Sequence, residues 1–235
     1  MELVLSPKEM QWMAKLLVQE KVLEVRPERP FMLRNGKQAP IKLHFEKAFQ
    51  SRELRAFIME QLIGHMPKII GRAYDLRVYD VAFVGVPQGG VVWAQALAKH
   101  FGTGFINSEK LPIAAGPQYK LSLLGCTQRT FAIVEDTVNE GESAARLVKQ
   151  LRLLPRTARL VISLFDYGTA EAATRFEELQ TPHVSLLDWQ PLREAMESRY
   201  AQEVLVEVDS WRKDPSTWGR RNRLAPNFER EMWHR

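Results

Sequence analysis

The sequence predicts an α/β fold, a central and mostly parallel twisted sheet flanked by helices. Three observations carry that expectation. Apolar runs of strand length stand at Val81–Val84, Phe131–Val134 and Leu160–Phe165. Each passes through a polar or glycine-containing turn into a segment whose apolar residues recur at helical spacing. With 235 residues, 45% of them hydrophobic, the chain has enough apolar surface for one full core. One domain is expected over residues 1–210, with a polar tail rich in Trp and Arg over 211–235.

The elements follow in order. Ser6-Pro7-Lys8-Glu9 combines an N-cap, a proline at the first helical position and a Glu at N3, and Met10, Met13, Leu16 and Leu17 share one face beyond it. The first helix is expected from about Ser6 to Glu24, with Trp12 and the methionines as packing. Arg26–Pro30 breaks it. Phe31–Arg34 and Ile41–Phe45 flank the turn Asn35-Gly36-Lys37 as a hairpin. Gln50–Met66 carries Leu54, Phe57, Ile58, Leu62 and Ile63 at helical spacing, and Pro67 opens a connection. Asp80–Gly90 is a buried strand running into a glycine-rich turn, followed by an apolar helix from Val91 to His100. Phe105-Ile106 is a short strand. Asn107–Gly125 has no clear period, and such a stretch in a compact domain is a functional lid or disordered. A helix over Ala144–Leu151 follows the central strand. Leu160–Phe165 leads to a helix over Thr169–Leu179, His183–Leu187 is an edge strand, and Asp188 caps a short helix holding Leu192 and Met196.

Charge and composition exclude more than they choose. A net charge of +5 and a pI near 9.4 suit anionic small ligands or nucleic acid alike. No apolar run approaches the ~20 residues of a membrane span, and no basic-then-apolar signal opens the chain, so a cytoplasmic protein is expected. The single cysteine, Cys126, excludes an internal disulfide and a cysteine-based zinc site, and reads as a small buried hydrophobe. The five histidines show no ligand spacing, so no protein metal site is expected.

Two junctions carry chemistry. Phe131–Val134 ends on Glu135 and Asp136, then Thr137-Val138-Asn139-Glu140-Gly141 leads to the helix start Glu142-Ser143. Adjacent carboxylates at a strand tip cannot both face the core, so at least one meets solvent, a cation or sugar hydroxyls. In open α/β sheets ligands sit beyond the carboxyl ends of strands, where the next helix offers free N–H groups to an anion. Upstream, Gly85, Pro87, Gln88, Gly89 and Gly90 form a turn whose backbone can approach a phosphate closely. Glu140 opposes that role. A carboxylate ~4 Å from a phosphate charge costs roughly 4 kcal/mol at an effective dielectric of about 20, and a helix end returns only about 0.3–1 kcal/mol. Phosphate binding therefore requires Glu140 to swing away. Glu140 and Glu142 also read simply as first-turn acids complementing the helix dipole.

The segment Glu135–Ser143 resembles the phosphoribosyl-pyrophosphate loop of type I phosphoribosyltransferases, an acidic pair followed by two variable residues, two threonines, Gly, a variable residue and Ser or Thr. Glu135, Asp136, Gly141 and Ser143 match, and Asn139 and Glu140 replace the threonines. Gly85, Pro87 and Gly90 fit that family's pyrophosphate loop. Phe31, Leu33, Gly36 and Pro40 fit the spacing of the hood motif of orotate phosphoribosyltransferases, so residues of about 20–50 are expected to form a small N-terminal hood. The resemblance implies that Glu135 and Asp136 hold ribose hydroxyls, that Thr137, Asn139, Glu140, Gly141, Glu142 and Ser143 line the 5′-phosphate, and that a phosphoribosyl ligand arrives with Mg²⁺. It puts Arg34 near the base and pyrophosphate, although a solvated strand residue fits Arg34 equally. Asp166-Tyr167 stands where the family has Asp-Arg; a tyrosine stacks or donates one hydrogen bond but cannot neutralise a carboxylate, which turns the expectation from orotate towards a neutral base. The family's catalytic lid falls on Asn107–Gly125, where Lys110 is the best catalytic candidate, acting with Asp136. A homodimer is implied.

If active, the chain would transfer ribose 5-phosphate between pyrophosphate and a nitrogenous base. The alternative is a non-catalytic descendant that senses nucleotides or binds proteins. The tail residues Trp211, Trp218, Arg220, Arg221, Arg223 and Trp233 interleave aromatics with arginines, as single-stranded nucleic-acid binders do. Packing of the tryptophans across the body or a partner subunit, with the arginines left in solvent, is the preferred reading, and nucleic acid is a third.

Overall fold

A computed structural model of the chain describes residues 2–3, 5–33, 36–110, 119–122, 126–155, 157–215 and 217–218. After β1 (Glu2–Leu3), α1 (Pro7–Gln19) opens on the expected capping box: Ser6 N donates to Glu9 Oε2 at 2.8 Å and Glu9 N to Ser6 Oγ at 3.4 Å. The helix stops short of Glu24. Lys21 takes φ 54° and turns the chain into β2 (Leu23–Val25), because Leu23 is buried in a strand pairing that helix periodicity does not report.

The hood is built from β2, β3 (Phe31–Met32), β4 (Gln38–Ala39) and β5 (Ile41–Leu43). The hairpin expected between Phe31–Arg34 and Ile41–Phe45 is corrected: Phe31 pairs with Ala39 and Met32 with Gln38, while Ile41 pairs with Val25. Pro40 lacks the N–H needed to continue a ladder and separates the two pairings.

Next come α2 (Phe45–Gln50) and α3 (Arg52–Tyr74), the latter capped by Ser51. The expected stop at Pro67 is also overturned. An interior proline costs a helix about 3 kcal/mol. The buried stripe Leu54, Ile58, Leu62, Met66 continues beyond it through Ile69 and Ile70, and burying each such side chain is worth about 1.5–3 kcal/mol. Burial wins.

The remaining elements are β6 (Val81–Gly85), α4 (Gly89–Phe101), β7 (Phe105–Lys110), β8 (Tyr119–Ser122), β9 (Thr130–Val138), α5 (Glu142–Leu151), β10 (Thr157–Asp166), α6 (Ala170–Glu178), β11 (His183–Leu187), α7 (Trp189–Met196) and α8 (Gln202–Lys213). The seven-stranded sheet has the order β1-β11-β10-β9-β6-β7-β8. All neighbours are parallel except the β7/β8 hairpin. Within the stretch expected to lack regular structure, 107–110 and 119–122 pair as antiparallel strands instead, Asn107 with Ser122 and Lys110 with Tyr119. The rest of the expected lid, 111–118 and 123–125, lies outside the described residues. β11 is not the edge: Glu2 pairs with its Val184, and a two-residue strand is too short to read from sequence.

Alternation sorts the strands onto two cores. Val81, Phe83, Ala132 and Val134 pack with α1, α3, α4, α7 and the hood, whereas Ala82, Val84, Phe131 and Ile133 pack with α5 and α6. Cys126 lies half-buried against the second core. Tyr74 ties α3 to the sheet, its hydroxyl donating to Phe131 O at 2.6 Å and accepting from Arg159 N at 2.9 Å, beside the register shift between Ala158 and Leu160. The expected tail boundary at 210 falls inside α8. Trp211 and Trp218 are buried, and the Trp211 indole donates to Gln38 O of the hood at 3.1 Å. Residues 219–235 lie outside the described residues. No described helix is long and apolar enough to cross a membrane.

Candidate functional site

From β6 the chain runs outward to β7 in one direction and, through β9, to β10 and β11 in the other. The β6/β9 junction is therefore the switch point of the sheet, where loops diverge and leave a crevice. The β6–α4 turn folds down onto β9, with Val86 N donating to Val134 O at 2.8 Å. A Cβ built on Gly90 would fall 2.1 Å from that same carbonyl oxygen, so only glycine permits the approach. Gln88 holds φ 83° and ψ −89°, a left-handed conformation uncommon for a residue with a side chain, and α4 begins behind it without a side-chain cap.

The β9–α5 loop meets this turn directly. A Cβ on Gly89 would fall 1.8 Å from Asp136 Oδ2, so the carboxylate lies flush against the glycine backbone. Asp136 Oδ1 accepts from Thr137 N at 2.8 Å. Glu135 is buried opposite Ser163 of β10. The Thr137 hydroxyl turns inward, where it has no hydrogen-bond partner among the described residues. Farther along, Thr169 Oγ1 donates to Asn139 O at 2.5 Å, Arg175 Nε to Glu140 O at 2.8 Å and Tyr119 Oη to Ser143 O at 3.1 Å. Glu140 faces the hood, 2.7 Å from Lys37 Nζ, and Glu142 pairs with Arg146 one turn on. Gly141 takes φ 68° and opens α5 without a side-chain cap.

The tip of β10 closes the third side. Asp166 accepts from Gly168 N at 2.8 Å, and burial raises its carboxyl above the usual range. His183 Nδ1 stands 3.7 Å from Asp166 Oδ2, and burial pushes this imidazole down to about 4. Ser163 Oγ lies 2.9 Å from His183 Nε2 and donates to Ser185 Oγ at 3.0 Å. This Ser–His–Asp row is no nucleophilic site, because Ser163 is fully buried inside the sheet. Tyr167 N donates to Val138 O at 3.0 Å, and its ring meets Phe165 and Trp211 edge-on at 4.9 and 5.6 Å and Trp189 tilted at 6.1 Å. Burial, then the Asp136 charge, drive the Tyr167 hydroxyl well above its ordinary value.

The β6 turn, the β9 loop and the β10 tip thus stand side by side at the carboxyl ends of the strands, with Asp136 against Gly89 and Tyr167 N bonded to Val138 O, while Asp166 and Tyr167 themselves are buried. Lys110, expected on a lid, is the last residue of β7. Arg34 lies outside the described residues. Sequence reasoning did not single out Lys37, Arg175 or Thr169, which reach the loop through tertiary contacts that no local spacing announces.

No protein-family model matches the chain. It is 24% identical to the orotate phosphoribosyltransferase of Porphyromonas gingivalis over 208 residues, 88% of this chain and 96% of the relative. Its structure superposes on the orotate phosphoribosyltransferase of Aeropyrum pernix with a TM-score of 0.64 at 18% identity, covering 79% of this chain and 97% of the other. This is a type I phosphoribosyltransferase fold, most like the orotate phosphoribosyltransferases. The same phosphoribosyltransferase architecture is shared with the adenine phosphoribosyltransferase of Trypanosoma brucei, solved with AMP, pyrophosphate and ribose 5-phosphate, at a TM-score of 0.58 and 15% identity over 80% of this chain and 82% of that one.

The β6/β9 junction brings together carboxylates at the end of β9, the starts of α4 and α5 without side-chain caps, and Lys37 and Arg175 bonded to Glu140. Carboxylates suit hydroxyl donors; open helix starts and cations suit phosphate oxygens.

Proposed function

We propose that the chain binds a phosphoribosyl ligand, phosphoribosyl pyrophosphate or a nucleotide, in the crevice between the β6 turn and the β9 loop. The observation that carries this reading is the contact of the Asp136 carboxylate with Gly89, which sets a hydroxyl-binding group between two uncapped helix starts. In this reading Glu135 and Asp136 accept from the ribose hydroxyls, the Asn139–Ser143 segment takes the 5′-phosphate, and Gly85–Gly90 takes the pyrophosphate. Tyr167 and Asp166 border a neutral nitrogenous base. In the reaction the C1–O bond to pyrophosphate breaks as the C1–N bond to the base forms. The acidic pair steadies the positive charge that develops on the sugar, and Lys110 meets the charge developing on the leaving group.

Magnesium fits as an ion carried by the ligand. Among the described residues no group of three or more His, Cys, Asp or Glu could cage a metal, and Mg²⁺ is ordinarily held by one or two carboxylates together with substrate phosphates and water. Asp136 is the carboxylate best placed to share it, and the ion would neutralise pyrophosphate oxygens. A homodimer belongs to the same reading, and light scattering on the purified protein tests it.

Calorimetry with phosphoribosyl pyrophosphate and Mg²⁺ tests the whole. The expected result is binding that disappears in Asp136→Asn. Absence of heat at millimolar ligand turns the reading towards a non-catalytic descendant of the fold, which the replacement of a threonine by Glu140 also favours.

A further inference from the structure

Glu140 brings a negative charge to the loop proposed for the phosphate, yet its carboxylate is directed onto the hood rather than into solvent. Lys37 Nζ lies 2.7 Å from Glu140 Oε1, the two side chains being 36% and 23% exposed. The Lys37 backbone is tied to Leu33, whose N donates to Lys37 O at 2.7 Å, and the preceding Gly36 takes φ 77°. On the opposite side of Glu140, Arg175 Nε donates to its carbonyl oxygen. Glu142 is occupied by Arg146. The acids of the loop are therefore matched by cations, and Arg175 adds one more positive charge beside the start of α5.

We propose that Lys37 is a phosphate-binding residue stored on Glu140: a phosphate entering the Asn139–Ser143 loop takes over the ammonium, and Glu140 is the built-in competitor that sets the affinity. The proposal rests on the phosphoribosyl reading of this crevice. A phosphate monoester carries a charge of about −1.5 to −2 and three acceptor oxygens, against the single charge of a carboxylate, so the ammonium gains by transferring. Both partners are part-exposed, which makes the exchange sensitive to salt. The same arrangement discriminates, because an unphosphorylated sugar has nothing with which to displace Glu140.

Calorimetry of ribose 5-phosphate and of ribose against the wild type, Lys37→Met, Glu140→Gln and the double variant tests this. Ribose 5-phosphate affinity is expected to fall about tenfold in Lys37→Met and to rise about tenfold in Glu140→Gln, with ribose indifferent to both. A mere clasp between hood and loop predicts a different pattern: both single variants remove the same contact and shift affinity in the same direction, which overturns the proposal. Unchanged affinity in Lys37→Met also overturns it while leaving the phosphoribosyl reading intact. A wild type that binds neither ribose 5-phosphate nor phosphoribosyl pyrophosphate overturns both. Circular-dichroism melts of every variant verify folding, which a part-exposed ion pair affects little.

Discussion

At the scale of single residues, two adjacent glycines have different reasons for being glycine. A Cβ at Gly89 would strike the Asp136 carboxylate, the free end of a side chain, whereas a Cβ at Gly90 would strike the backbone carbonyl of Val134. Gly89→Ala is therefore expected to lower stability by less than about 1.5 kcal/mol while displacing Asp136 and abolishing ligand binding. Gly90→Ala is expected to lower it by about 2–4 kcal/mol, since neither strand nor helix can yield. Urea titrations beside calorimetry separate the two. His183 gives a pH signature. Burial holds it at about 4 in the folded chain against about 6.5 unfolded. The unfolded chain then takes up a proton between those values that the folded one does not, so this stability is complete above about pH 6.5 and is lost as pH falls towards 4, by about 3 kcal/mol at most. Asp166, raised by burial, works in the opposite sense, because its folded form protonates first as pH falls and so offsets part of the loss. The urea midpoint should drop across that window in the wild type and far less in His183→Gln. A wild-type midpoint that stays level would contradict the account.

Among the elements, α8 joins parts of the molecule that are remote in sequence. Trp211 packs on Tyr167 and donates to Gln38 O, while Arg212 Nη2 donates to Gly168 O at 2.7 Å. Trp211→Phe keeps most of the packing and removes the hydrogen bond, for an expected loss of about 1 kcal/mol; Trp211→Ala should lose about 3–5 kcal/mol. In both, amide exchange at Gln38 and Ala39 should accelerate more than exchange in β9. Equal acceleration everywhere would show that the tryptophan serves only the general core. This scale also shows what a sequence conceals. The α1 start and the strands β6, β9, β10 and β11 were legible because capping residues and apolar runs are local signals. The passage of α3 through Pro67, the pairing of β4 rather than β5 with β3, and the strands hidden in Asn107–Gly125 were not, since each is decided by what packs on it from afar. Likewise the place of Asp136 beside the β6 turn was legible and the contact of Lys37 with Glu140 was not: one sits at a strand tip, the other arrives across the fold.

For the molecule as a whole, the order of strands sets the β6 turn beside the β9 loop, and occupancy of the site proposed there should in turn report on the whole. Ligand at a hundred times its dissociation constant adds about 2.7 kcal/mol to the folded state, or roughly 5–10 °C in the unfolding midpoint of a domain this size. Ribose 5-phosphate should produce such a shift, and Asp136→Asn should erase it. Finally, β1 forms its ladder with β11, Glu2 against Val184. Its ladder partner thus lies about 180 residues farther along the chain. Loop closure of that span is slow relative to hairpins and helices, so β1 docks after the centre has set, as a seam sealed at the finish of folding.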